Sequence, residues 1–188
     1  MRLLRISAAL AVAAALACAA DPLYDSARKK LDAIEAEKEP RGATVNFSYG
    51  EIMAWAKVRI PEIIPEGMKD IRLELGTNAA TGYATVDLLK MRQAQGIQTN
   101  WLISKLIEGE RQLKVSIRMQ SAGGRCTVYL TSVQIGAAQA TGSVLDVLVK
   151  SFFLPLYPDA HINEPFELDY NMERIEVRPA GARVVIKR

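Results

Sequence analysis

The chain has 188 residues and a mass of 20.7 kDa, enough for one compact domain and short for two. Hydrophobic residues make up 49% and charged residues 24%, a globular mixture, while aromatics at 6% are too few for a nucleic-acid surface of stacked rings. One His and two Cys exclude a His-rich metal cage and a zinc site of Cys and His alone, so neither a metal nor a cofactor is expected.

Arg2 and Arg5 precede an apolar run from Ala8 to Ala17, followed by small residues and Asp21. This is the pattern of a signal peptide over residues 1–17, and the run is too short to span a bilayer. The protein is therefore expected to be exported. Two processing routes fit. In one, Ala15-Leu16-Ala17-Cys18 acts as a bacterial lipobox, and a lipidated Cys18 holds the chain at a membrane surface. In the other, an ordinary peptidase cuts at the small residues around Cys18 and releases a periplasmic protein. Either way Cys126 has no disulfide partner and reads as a buried strand thiol. The formal net charge is +3 with two basic residues in the leader, so the processed chain is close to neutral and offers no basis for binding nucleic acid.

Residues 18–42 read as a helical tether, with Leu23, Ala27, Leu31 and Ile34 on one helical face before Pro40-Arg41-Gly42. Residues 43–188 read as a single α+β domain. Ala43 to Phe47 is a strand, and Ser48-Tyr49-Gly50-Glu51 has the spacing of a capping box at the start of a helix. Pro61 and Pro65 are expected to end that helix. Ile71, Leu73 and Leu75, then Ala84, Val86 and Leu88, alternate with polar residues as two strands of a meander. A helix-like stretch from Trp101 to Glu108 precedes a second pair: Leu113, Val115, Ile117 and Met119, then the turn Ala122-Gly123-Gly124, then Cys126, Val128 and Leu130. Residues 141–154 form a long, strongly apolar helix, and Ile175 to Ile186 close the chain as a hairpin.

No constellation of catalytic groups accompanies these elements. His161 lies in a turn with no nucleophile elbow nearby, and Gly123-Gly124 sits between strands without a phosphate-loop Lys. No enzymatic role is expected. What stands out is the quantity of aliphatic surface: the helix either closes a dry core or leaves a slot that an acyl chain can fill.

The order of elements resembles the tubular lipid-binding (TULIP, or SMP-like) superfamily, in particular its small exported bacterial members. Thr44 to Trp55 looks like the family's opening strand and first helix, Ile71 to Leu75 and Tyr83 to Leu88 like its first hairpin. Cys126 to Gly136 with Ser143 to Lys150 looks like the strand running into its long helix, and Glu164 to Ile186 like its closing strands. The family's Pro residues near the start of that helix, where this chain has Ala140-Thr141-Gly142, and near Asp169-Tyr170 are absent here. The resemblance implies a curved antiparallel sheet wrapped around the long helix, with an apolar groove for a lipid or hydrophobic small molecule. Ile71, Leu73, Leu75, Leu113, Val115, Ile117, Leu145, Leu148 and Phe152 would then be ligand contacts. The competing reading is an envelope interaction protein with a filled core; the identity of any protein partner stays open.

Overall fold

The computed structural model describes residues 21–63, 66–94, 96, 108–150 and 161–188, with only the backbone at Ile63, Val147 and Leu148. It is an α+β protein with two antiparallel sheets and a few helices.

Helix α1 (Pro22–Glu35) starts where Asp21 accepts a hydrogen bond from the Leu23 amide at 2.9 Å and Pro22 fills the first turn. It ends in a Schellman turn, with the Lys38 amide on the Ala33 carbonyl and the Glu37 amide on Ile34, both at 2.9 Å. Its Ala27 and Ile34 are buried, so the helix of the tether segment is docked onto the domain. The surface beneath is a three-stranded sheet, ordered β1 (Thr44–Ser48), β9 (Gly181–Ile186), β8 (Met172–Arg178). Val45, Phe47, Val184 and Ile186 alternate toward α1 and form one core cluster with Ile34. At the β8–β9 turn Gly181 has φ 150, and a Cβ there would collide with the Phe47 carbonyl oxygen, so strand pairing at this corner requires glycine.

Helix α2 (Tyr49–Ile63) opens with the expected capping box. The Glu51 amide donates to Ser48 Oγ at 3.2 Å, and the Ser48 amide donates back to Glu51 Oε2 at 2.7 Å. Pro61 does not end α2 as anticipated; it lies inside the helix, which stops two residues later. A proline forfeits its backbone bond to the carbonyl four residues earlier, and the helix ends two residues beyond it.

The larger sheet runs β2 (Met68–Gly76), β3 (Ala79–Asp87), β4 (Glu110–Ala122), β5 (Arg125–Ile135), β6 (Ala138–Ala140), with β7 (Pro165–Glu167) pairing to the first residues of β5. The β4–β5 turn is made by Gly123 and Gly124 at φ 60 and 73, which suits a tight hairpin. One strand is shorter than its pattern suggests. Leu88 opens helix α3 (Leu88–Ala94) instead of closing β3, because Asp87 Oδ1 accepts the Lys90 amide at 3.1 Å and caps a helix. Helix α4 (Gly142–Leu148) occupies the first half of the long apolar helix read from the sequence; residues 151–160 lie outside the described residues, as do 101–107 of the helix-like stretch.

The two sheets meet at hairpin tips. The outer edge of β8 is capped by the Gly124 amide on the Glu173 carbonyl (2.8 Å), by Ser121 Oγ accepting the Ile175 amide (2.9 Å), and by the Asn78 amide on the Val177 carbonyl (2.9 Å). An edge that would otherwise present unpaired backbone groups is thereby joined to the larger sheet.

Candidate functional site

Directly paired residues on antiparallel strands share a face, so the register of the larger sheet builds its apolar surface row by row. One row runs Leu75, Ala80, Ile117, Leu130, and the next runs Leu73, Gly82, Val115, Val133, Ala140. A third holds Ala84, Leu113, Ile135 and Ala138. The side chains of β2 and β4 in these rows are half-buried. Between them β3 contributes Ala80, Gly82 and Ala84, so a furrow of small residues follows β3 as far as the buried Val86, walled by leucines on one side and by Leu113, Val115 and Ile117 on the other. Adjacent strands are about 4.8 Å apart, which places the walls roughly 10 Å from each other.

Helix α4 lies over the far end of this face. Its Leu145, 3% exposed, packs with Val149 and Ala140 against Leu130, Val133 and Ile162. The residues named from the sequence are therefore distributed as follows. Leu73, Leu75, Leu113, Val115 and Ile117 share one face by register, and Ile71 sits beside them at a β-bulge between Lys69 and Arg72, where Asp70 adopts φ 56. Leu145 reaches the same face over β5. Leu148 ends α4, and Phe152 lies outside the described residues.

The opposite face is polar. Tyr83 is flanked by Arg72 and Lys114, at 5.3 and 5.6 Å from its ring, and its hydroxyl donates to Glu74 at 2.8 Å, a bond that pushes the phenol pKa up. Thr85 donates to Asp70 and accepts from Gln112, each at 3.0 Å. Cys126 is 2% exposed in β5, and burial raises its thiol pKa against a hydrogen bond with Ser121, as befits a strand thiol in the core. His161 is exposed and stacks on Phe166, 5.8 Å between ring centroids.

Two cavities border the smaller sheet. One, of about 320 Å³, is lined chiefly by polar side chains including Glu37, Arg41, Asn171 and Lys187. The other, of about 190 Å³, is an apolar crevice between α1, α2 and β9, lined by Leu31, Phe47, Ile52 and Trp55, with Glu51 at its margin. Sequence reading identified the capping box at Glu51 but not its second role. Glu51 Oε1 also accepts from Ser26 and Lys30 of α1, both at 2.5 Å, a contact across 25 and 21 residues that no local spacing encodes. Among the described residues there is no group of three or more potential metal ligands, and no helix is long and apolar enough to cross a membrane. Comparison with known proteins yields no match to a family model, a curated protein or a solved structure.

Proposed function

We propose that this is an exported envelope protein that holds a lipid or other hydrophobic ligand along the β3 furrow, without catalysis or a cofactor. The observation that carries this reading is the register. It sets two walls of half-buried aliphatic side chains on either side of Ala80, Gly82 and Ala84, and α4 packs on β5 and β6 beyond the β4 wall. An acyl chain gains ~0.8 kcal/mol per buried CH₂ and needs no polar partner, which accounts for a binding surface with no chemical motif. In this reading the helix begun by α4 continues toward residue 154 and the sheet curves round it, as in the TULIP proteins the chain resembles. A lipidated Cys18 would keep the carrier at the membrane surface.

Native mass spectrometry of protein purified from membranes tests this, with Gly82→Val as the discriminating variant. A Cβ at Gly82 would meet Leu73 Cδ2 at 3.7 Å, an ordinary contact, and the two methyl groups of valine extend beyond it into the furrow. A β-branched residue in a strand interior should leave stability unchanged or raise it by up to about 1 kcal/mol. The expected result is a lipid-sized, non-covalent adduct on the wild type that is lost from a stably folded Gly82→Val. A wild type without an adduct, or a variant that keeps it, overturns the furrow assignment. The denatured mass reads Cys18 separately, as a diacylglyceryl increment on a chain starting there.

The alternative, an interaction protein with a filled core, draws support from the crevice beside Trp55. At about 190 Å³ it falls below the ~300–1,000 Å³ of small-molecule pockets and suits one side chain of a protein partner.

A further inference from the structure

We propose that the face of β8 and β9 turned away from α1 binds a phosphomonoester group. Arg174, Glu176 and Arg178 alternate along β8 and so share a face, and the β8–β9 register sets Arg183 directly opposite Glu176. Arg174 Nε donates to Glu176 Oε1 at 2.9 Å, while Arg178 Nη2 and Arg183 Nη2 donate to Oε2 at 2.9 and 2.7 Å. Three guanidiniums thus converge on one carboxylate, leaving two positive charges uncompensated within the cluster. Each guanidinium has five N–H donors, of which the carboxylate takes one apiece. The side chains are open to solvent, at 43%, 54% and 36% exposure for Arg174, Arg178 and Arg183. Arg183 Nε is enclosed with no hydrogen-bond partner, so the guanidinium is held in this orientation at the cost of an unused donor.

Sheet register forces these like charges together, and an anion relieves their repulsion. Planar arginine forks match phosphate oxygens, and a phosphomonoester carries about −1.5 to −2 near neutral pH with three acceptor oxygens, which fits the two spare charges. A phosphodiester, with a single charge, neutralises half of them. Asn46 lies opposite Arg183 on β1, exposed on the same face, and adds an uncharged donor. Hydrogen bonds from Arg174 and Arg183 hold the Glu176 carboxyl at about 2, so the charge of the cluster is constant through neutral pH. This site lies on the other sheet from the furrow and stands independently of the lipid reading.

The test is titration of the full ¹⁵N-labelled chain with glycerol 1-phosphate, following the arginine side-chain signals, with glycerophosphocholine as the diester control. In parallel, the protein is floated with phosphatidylcholine vesicles containing phosphatidic acid. Saturable shifts at millimolar ester assign a soluble ligand; flotation assigns a lipid headgroup of the same chemistry. In either arm Arg174→Gln and Arg178→Gln, each removing one bond to Glu176 from a solvent-accessible side chain, should weaken binding by about tenfold with the thermal melt changed little. Binding in neither arm, equal binding of the diester, or full affinity in both folded variants overturns the proposal.

Discussion

Glu51 is 5% exposed and charged, and its surroundings explain how both hold at once. Burial pushes its carboxyl pKa up, but hydrogen bonds from Lys30, Ser26 and Ser48 outweigh that and hold it at about 2. Lys30 also donates to the Asn46 carbonyl at 2.7 Å and lies 5.6 Å from the centre of the Phe47 ring, so a single ammonium ties α1 to β1 and α2 together. Because the folded-state pKa is depressed, Glu51 contributes stability that is fully present above its ordinary value near 4.5 and is lost as pH falls toward 2. Urea midpoints measured from pH 6 down to 2 should show this decline, and Glu51→Gln should flatten its part of it. Glu51→Ala, which removes the shared acceptor of Ser26, Lys30 and the Ser48 amide while Lys30 stays part-solvated on the Asn46 carbonyl, should cost about 1–3 kcal/mol at neutral pH.

Among the elements, α1 shows a local rule bent for a tertiary gain. Its Schellman turn puts Glu37 at φ 51, a position that favours glycine, and the Glu37 carboxylate accepts a hydrogen bond from Asn171 at 2.8 Å. Asn171 and Tyr170 are themselves at φ 55 and 53 in the turn that leads into β8. Left-handed backbone costs an ordinary residue about 1–2 kcal/mol, more than one exposed hydrogen bond returns. Glu37→Gly is therefore expected to raise stability by about 1 kcal/mol in denaturant unfolding, while loosening the 169–171 turn in hydrogen exchange. The other departures from the expected elements are local in origin. Leu88 turns helical because Asp87 supplies a cap, and α2 stops two residues after Pro61.

At the scale of the molecule, the two sheets behave as one cooperative unit only if their junction holds. Among the described residues three backbone groups along β8 meet the hairpin tips at Asn78, Ser121 and Gly124, and the Tyr49 hydroxyl of α2 donates to the Leu73 carbonyl of β2 at 2.8 Å. Ser121→Ala leaves the Ile175 amide without its partner, and an unsatisfied, part-buried donor costs about 1–3 kcal/mol. The expected outcome is a lower urea midpoint with a single transition and faster exchange of the Ile175 amide. A loss of stability confined to one sheet would show instead that the halves unfold separately.

Period-two alternation, paired glycines and a capping box are short-range signals, and they determined the β2–β3, β4–β5 and β8–β9 hairpins, the start of α2 and the aliphatic face of the larger sheet. They act within a few residues, through side-chain direction and φ preference, so the sequence carries them in plain form. The furrow along β3 was half legible: the large residues of β2 and β4 announce a face, but only pairing register shows that Ala80, Gly82 and Ala84 lie between them. Likewise Arg174, Glu176 and Arg178 are visible as an alternating run, whereas Arg183 joins them through the β8–β9 register. The docking of α1 by Ser26 and Lys30 onto Glu51, and the capping of β8 by distant hairpin tips, were decided by tertiary structure alone. Those contacts join residues more than 20 positions apart and depend on where whole elements come to rest, which no local preference specifies.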